Sequence, residues 1–378
     1  MYLERKPQVN EDKAVRYRRL RRLTTSIGVG VRGCVLLGVC SADFLARHFD
    51  IPLVRDIDGI VHAGVVACAL CLVCECAAFP FVLYGEFKVE RRFGLSRESL
   101  KSWFRGYLRV LGIELVGWAA AASVMYSLIT HWPENWWFLV AVLYFVVAVV
   151  RASVAPLVLV PWIFRAVPMR QGTLYERLEV SARRAGSPVM GIEEWNVGTK
   201  SDYANAVLIG LGPARRVLLS STLLEDYSDD EIEVIVTHEL GHHAHGDVWK
   251  MIMFDAFVVF IACCISAQFI VETKFWEGLF YPLDITDLAA FVLVLSVTRI
   301  ALSPLSKWIS RRHEQRADAY ALAATKKCDA FVSGLRRLAS QQLVEERPTR
   351  LIEWLFYSHP PMAVRLEYAD RLRTKYGL

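Results

Sequence analysis

Several runs of about 20 residues in this chain contain almost no charged side chains, and an α-helix needs this length to cross a bilayer. Of the 378 residues, 54% are hydrophobic and 22% are charged. We count six predicted spans: 24–45, 60–84, 107–130, 136–165, 251–272 and 286–306. The pattern predicts an α-helical polytopic membrane protein surrounded by lipid, rather than two or three soluble domains.

Lys and Arg are distributed unevenly between the predicted loops. Residues 1–23 carry eight basic side chains and residues 85–105 carry six. The alternate loops hold only Arg55 and Lys274 among them: 48–59, 131–135 and 273–285. Because short loops rich in Lys and Arg remain cytoplasmic, we expect these segments on that side: both termini, 85–105, 166–250 and 307–378. The asymmetry accounts for the net charge of +5 without a nucleic-acid partner.

Two polar stretches are long enough to form a domain, and the last two predicted spans separate them. We divide the chain into an N-terminal membrane region, the first half of a polar domain, two further membrane helices and the second half of that domain: 1–165, 166–250, 251–306 and 307–378. The first half contains a predicted helix, "GTLYERLEVSARRAG", and three short predicted strands, "SPVMGIEEWNV", "NAVLIGLG" and "RRVLLSS". Ser228 and Glu231 match a capping box, so we expect a helix to begin near residue 229.

His238, Glu239 and His242 form an H-E-x-x-H motif on this predicted helix. Two imidazoles one turn apart point the same way and can both bind Zn²⁺, with Glu239 beside the open coordination position. There the carboxylate can take a proton from the attacking water and later deliver it to the leaving amine. Together with Ile235, the three residues share one helical stripe, which we expect to be the buried face.

A tetrahedral zinc site needs a further protein ligand. Val248 occupies the place of the last histidine in the metzincin pattern, and His243 and His245 point to other faces of the helix. Glu314, in "SRRHEQRADAYA", is the better candidate because it lies just past the last span, on the same side of the membrane as the motif. Asp318 follows one turn later, where it can orient a ligand imidazole.

Some charged residues fall inside the predicted spans, where they should face the helix bundle because charges are costly in lipid. They include Glu75 and Glu114. Asp255 and Arg299 lie at matching depths, so we predict that they pair. The pair either lies by a chamber beneath the histidines or joins two helices without a cavity. Arg151 is deeper and has no partner that the sequence identifies.

These motifs together resemble a known family. "HELGH", two spans, "SRRHEQRADAYA" and "YSHPPMAVRL" follow one another as in the type I CAAX prenyl endopeptidases, which are integral-membrane zinc metalloproteases. Three upstream blocks are also similar: "LYGEFKVERRFGLSRESL", "VAPLVLVPWIF" and "ANAVLIGLGPARRVLLSSTLLE". The resemblance implies a small α+β gluzincin-type metalloprotease domain on the cytoplasmic face, with one Zn²⁺ per chain, and it favours the chamber.

The resemblance also implies roles for individual residues. The zinc ligands would be His238, His242 and Glu314, and the general base would be Glu239. Asn205 and Ala206 would lie on an edge strand that aligns the substrate backbone. His359 and Arg365 would line the cleft near the scissile carbonyl and stabilise the oxyanion. The alternatives are a helix-start role for His359 and a structural ion pair for Arg365.

The chain departs from the family pattern at several points. The family commonly has seven spans, and this sequence predicts six. His243 occupies the place of a common aromatic residue, Asp247 that of a histidine, Ser221 that of an aspartate and Ala204 that of a serine. Since none of these positions is an expected ligand or base, they bear on substrate choice, and on prenylated substrates especially.

We therefore predict a membrane-embedded zinc metalloendopeptidase that acts on C-terminal peptides, with or without a lipid, or on damaged membrane proteins. The expected location is a bacterial or archaeal plasma membrane, with an ER-type membrane as the alternative. One rival is a non-catalytic scaffold with a structural zinc site, which would have a closed fourth coordination position. An intramembrane protease would instead need its histidines inside a span, whereas the "DYSDDEIE" segment before them is polar. The sequence does not predict the oligomeric state.

Overall fold

The computed structural model of the chain describes residues 9–41, 59–159, 166–195, 204–212, 215–277 and 285–376. The helices are α1 (Val9–Ser41), α2 (Gly59–Val82), α3 (Leu100–His131), α4 (Trp136–Leu159), α5 (Thr173–Arg184), α6 (Ser221–Asp226), α7 (Asp229–Ala244), α8 (Asp247–Glu277), α9 (Ile285–Thr325), α10 (Cys328–Gln341), α11 (Arg350–Phe356) and α12 (Met362–Tyr376). Helix α2 continues through a π-helical segment, Leu83–Val89, and a last turn, Glu90–Arg92. The strands are β1 (Val167–Pro168), β2 (Gly191–Trp195), β3 (Ala206–Ile209) and β4 (Arg216–Ser220).

Six helices within the described ranges are long and apolar enough to cross a membrane, namely α1, α2 with its extension, α3, α4, α8 and α9. Their number and order agree with the six predicted spans, so the predicted polytopic helical membrane protein is confirmed. The predicted span ends at 42–45 and 160–165 lie outside the described residues, as do most of the predicted loops 48–59 and 273–285.

Four of the charged residues in the membrane helices form two ion pairs. Asp255 and Arg299 lie 3.3 Å apart, which confirms the predicted pair, and the hydroxyl of Tyr144 donates to Asp255. Glu75 accepts two hydrogen bonds from Arg32, at 2.8 and 3.0 Å. Each pair joins two membrane helices, α8 with α9 and α1 with α2, so neither carboxylate is left uncompensated in the bundle.

The polar domain contains one four-stranded sheet, in the order β1-β2-β4-β3. Strands β2 and β4 are parallel, and the other two pairs are antiparallel. The three predicted strands are present. The two-residue strand β1 was not predicted, because Val167 and Pro168 are too few to form a pattern. Within the described residues β3 is an outer strand, and its free side faces the motif helix α7.

Helix α7 begins as predicted and packs against the sheet. Ser228 and Glu231 form both hydrogen bonds of the capping box. The expectation that the histidine stripe is the buried face was wrong: Ile232, Val236 and Leu240 are almost fully buried, in one cluster with residues of the sheet. The histidine stripe is only partly buried, because it lines a cleft.

Salt bridges hold α7 to its neighbours at its N-terminal end. Arg177 on α5 donates to Glu233 through Nε at 3.0 Å, and Lys327, just before α10, donates to the same carboxylate at 2.6 Å. Both cations also bind Asp230. Elements from both halves of the polar domain are therefore tied to the motif helix.

Helix α9 runs without interruption from the membrane into the polar domain. The sequence division at 306/307 falls inside this helix, and that at 250/251 falls inside the first turn of α8. A Cβ added at Gly241 of α7 would lie 3.2 Å from the Cα of Ala317 on α9. The glycine therefore lets the two helices approach closely, which brings Glu314 to the histidines.

Candidate active site

Three side chains from α7 and α9 converge on one point. His238 Nε2 lies 3.4 Å from Glu314 Oε2, and His242 Nε2 lies 3.4 Å from Glu314 Oε1. One ligand atom from each residue falls within 4.8 Å of the others. The histidines share a face because they are one turn apart, and the close packing of α9 supplies the carboxylate.

The geometry of this group fits a tetrahedral zinc ion. Ligand atoms about 2.0–2.1 Å from such an ion lie roughly 3.3–3.4 Å from one another, and each histidine nitrogen lies 3.4 Å from one of the two Glu314 oxygens. The Oε2 atom of Glu314 is buried, and His359 Nδ1 lies 2.9 Å, His238 Nε2 3.4 Å and Arg365 Nη2 3.8 Å from it. A buried carboxylate needs a compensating charge, and a divalent cation between the three side chains would provide it.

A carboxylate stands behind each histidine. Asp318 Oδ1 lies 2.9 Å from His238 Nδ1, and Asp247 Oδ2 lies 3.2 Å from His242 Nδ1. Both rings therefore turn Nε2 toward Glu314, as in the carboxylate–histidine–metal arrangement that fixes ring orientation. Burial lowers the pKa of His238, but Asp318 and Glu314 outweigh it and raise that pKa to about 10. A metal ion would displace this proton on binding.

The contact of Asp247 with His242 is a feature of the site that the sequence reasoning missed. Its carboxylate is buried, and it also accepts hydrogen bonds from Arg316 at 2.9 Å and from Lys250 at 3.2 Å. Asp247 is five residues from His242, which is not a helical spacing, and it reaches the ring because the chain turns at Gly246, where φ is +66°. In the sequence, the only sign of this turn is Gly246, and a single glycine does not predict a left-handed turn.

Glu239, on the same stripe as His238 and His242, lies in the same cleft as the ligand group. Burial raises the pKa of its carboxyl group, and the neighbouring charges of His238 and His242 oppose that rise. A carboxylate with a raised pKa is a stronger proton acceptor, which suits a general base.

The structure brings the other expected site residues to this cleft, a cavity of about 140 Å³. Its lining includes Asn205, Ala206, Glu239, Glu314, His359 and Arg365. His359 is 62% exposed, and its Nδ1 lies 2.9 Å from Glu314 Oε2. Arg365 donates to Asp318 through Nε at 2.9 Å and Nη2 at 2.6 Å. The arginine therefore forms an ion pair and lines the cleft at the same time.

Strand β3 presents backbone groups to the cleft. The carbonyl of Asn205 accepts from the Ser220 amide at 2.9 Å, so Asn205 faces β4. Because neighbouring residues of an antiparallel strand alternate in direction, the backbone groups of Ala206 and Leu208 face away from β4. His243 contacts the Leu208 carbonyl through Nε2 at 3.3 Å, and burial lowers the pKa of this ring to about 4. The neutral His243 thus contacts the strand and is not part of the ligand group.

A second, larger cavity of about 930 Å³ begins on the other side of the site. It is lined by Glu239, His242 and Glu314 at one end and by Asp255 and Arg299 at the other. Asp255 and Arg299, each about half exposed, therefore line an open cavity beside the ligand group. It connects the ligand group with the membrane helices α4, α8 and α9.

The fold and the site together define an integral-membrane metallopeptidase. The chain belongs to Peptidase family M48, whose sequence model matches residues 168–373. A second model, described as CAAX prenyl protease N-terminal, five membrane helices, matches residues 14–165. The described part of that region contains four long helices, α1 to α4.

Relatives with curated names and a solved structure agree with this assignment. CAAX prenyl protease 1 of Saccharomyces cerevisiae is 25% identical over 78% of this chain and 69% of that protein. Protease HtpX of Pseudomonas syringae is 33% identical over 48% of this chain and 66% of that protein. The crystal structure of S. mikatae Ste24p has a TM-score of 0.73 at 22% identity, covering 85% of this chain and 79% of that one. The protein is therefore a metalloendopeptidase, which sets the non-catalytic scaffold aside.

Proposed function

We propose that this protein hydrolyses peptide bonds at the cytoplasmic face of its membrane, using one zinc ion held by His238, His242 and Glu314. The observation that carries the proposal is the convergence of these three side chains beside Glu239, with a carboxylate behind each imidazole. When bound, the ion would polarise the scissile carbonyl and lower the pKa of water. Family M48 membership supports zinc as the metal.

Glu239 would act as the general base. Its carboxylate lies in the cleft between the edge strand and the ligand group, where it can take a proton from the attacking water and pass it to the leaving amine. The acid form is favoured by the burial that raises its pKa. Glu239 would therefore both take the proton from the water and deliver it to the leaving amine.

The substrate would bind as an added strand along β3. The outward backbone of Ala206 can pair with an extended peptide, which gives binding with little dependence on sequence. Asn205 would stabilise the N-terminal end of β3, since its backbone N–H donates to Ser220 Oγ at 2.9 Å. His359, which is exposed at the cleft, would stabilise the oxyanion, with Arg365 beside it.

The substrates would be C-terminal peptides, with or without a lipid, or unfolded membrane proteins. The cavity that joins the site to the membrane helices suits a membrane-tethered chain. The excess of Lys and Arg in residues 1–23 and 85–105 supports a cytoplasmic site. We place the protein in a bacterial or archaeal plasma membrane, or in an ER-type membrane.

Metal removal and return tests the proposal. Purified protein in detergent would be stripped with a chelator, assayed by mass spectrometry on matched prenylated and plain peptides and on an unfolded membrane protein, and then reloaded with zinc. We expect cleavage to disappear on stripping and to return with about one zinc per chain. Cleavage that continues in the stripped protein would contradict the proposal, and the peptides cut would show which substrate class applies.

A further inference from the structure

The N-terminal membrane helix reaches the polar domain at a point far away in sequence. Arg22 of α1 donates to Glu345 at 2.9 Å and to the hydroxyl of Tyr357 at 3.2 Å. The Tyr357 hydroxyl itself donates to Glu345 at 2.7 Å. Arg22 and Glu345 are largely buried and Tyr357 is partly buried, so these hydrogen bonds are shielded from water and stronger than exposed ones.

Further contacts make this junction rigid. Arg18, one turn before Arg22, donates to the carbonyls of Leu343 at 3.1 Å and Gln342 at 3.2 Å. The Leu343 side chain is buried in a cluster with Tyr17 of α1 and Val89 of the α2 extension. The turn at 342–345 is therefore fixed to α1 by apolar packing as well as by ion pairs.

Tyr357 connects this junction to the active-site cleft. It begins the short segment 357–361 between α11 and α12, and His359 is two residues further on. Arg311 of α9 holds the backbone of the same residue, donating to the Tyr357 carbonyl at 2.7 Å. Helix α9 thus binds the backbone of this segment, and α1 binds the side chain of Tyr357. His359 extends from the segment to within 2.9 Å of Glu314.

We propose that Arg22, Glu345 and Tyr357 form a positioning network through which α1 holds the loop that carries His359 over the ligand group. The three residues do not line the cleft. They act through His359, so the membrane helix at the start of the chain affects activity without touching substrate. The inference rests on the proposed role of His359.

A double-mutant cycle in the full-length protein separates positioning from general stability. We expect Tyr357→Phe to lower kcat about 3- to 30-fold with little change in KM, since a misplaced catalytic group reduces the rate rather than binding. In a His359→Ala background, the same substitution should change kcat by less than about twofold, because the group to be positioned is gone. Equal losses in the two backgrounds would overturn the proposal.

Two matched variants of α1 complete the test. Arg22→Met should reproduce the Tyr357→Phe effect, and Arg22→Lys should recover most of it, since an ammonium can still reach both partners. Arg19→Met is the control, because Arg19 is exposed and makes no hydrogen bond or ion pair among the described residues. Loss of activity in the control equal to that of Arg22→Met would contradict the network.

Hydrogen exchange distinguishes failure of this inference from failure of the proposed function. The amides of residues 357–359 should exchange faster in Arg22→Met and Tyr357→Phe than in wild type or Arg19→Met, whether or not the protein cleaves peptides. Unchanged exchange there would refute the network by itself. Absence of cleavage in zinc-loaded wild type would refute the proposed function and leave the exchange result to decide the network.

Discussion

Asp247→Asn offers a sharp test of how the metal centre is supported. The substitution keeps the shape of the side chain but removes the charge that faces His242 Nδ1 at 3.2 Å. Carboxylates in this position typically contribute 10- to 100-fold to metal affinity, which is about 1.4–2.7 kcal/mol. Of the other partners of Asp247, Arg316 and Lys250 are each more than 40% exposed and can return to water, and the buried His313 is 3.6 Å away, beyond hydrogen-bond distance. We therefore expect the loss to appear in zinc binding rather than in folding.

The assay is zinc occupancy of the purified protein across a series of buffered free-zinc concentrations. Asp247→Asn should shift the midpoint roughly 10- to 100-fold to higher zinc, with an unfolding temperature close to that of wild type. Asp229→Asn is the matched control, because that residue is exposed at the start of α7, the helix that carries His242. A wild-type midpoint for Asp247→Asn, or an equal shift in the control, would refute the reasoning.

Three further predictions follow from the packing and the sheet. Gly241→Ala should reduce the free energy of unfolding by about 1–3 kcal/mol, because its Cβ would press on the backbone of α9. Gly112→Ala, whose Cβ meets no atom within 4 Å, should be neutral or slightly stabilising in chemical denaturation, because alanine favours a helix more than glycine does. Burial raises the pKa of Glu233, but its two cationic partners outweigh that and lower it; such a group contributes stability above its unfolded pKa and loses it as the pH falls through the folded pKa. Denaturation should therefore show that Glu233→Gln destabilises the protein at neutral pH and much less in acid, and a pH-independent loss would contradict this. Ala206→Pro should raise KM for extended peptides while zinc content stays constant, because it removes an outward amide, and Ala206→Ser should not.

The membrane architecture could be predicted because its cause is local. A helix in lipid must satisfy its own backbone groups, so each span appears as one long apolar run. Matching depth in two such runs was enough to pair Asp255 with Arg299. The capping box of Ser228 is equally local, since both of its hydrogen bonds lie within four residues.

Other features could not be predicted because they depend on contacts between distant segments. The pairing of Asp247 with His242 requires the left-handed turn at Gly246. The contacts of Arg22 with Glu345 join residues separated by 323 positions. The histidine stripe was assigned to the buried face because its spacing indicates a face of the helix, but spacing does not reveal whether that face meets a core or a cleft.

The central claim is that Glu239 performs proton transfer in a zinc-dependent cleavage of peptides. The most direct test compares wild type with Glu239→Gln, both purified in detergent, for peptide cleavage by mass spectrometry and for bound zinc. The substitution removes the proton acceptor but none of the three proposed ligands, so we expect both proteins to hold zinc and only wild type to cut. If Glu239→Gln cleaves at the wild-type rate, or if both proteins hold zinc and neither cuts any peptide, the account is wrong.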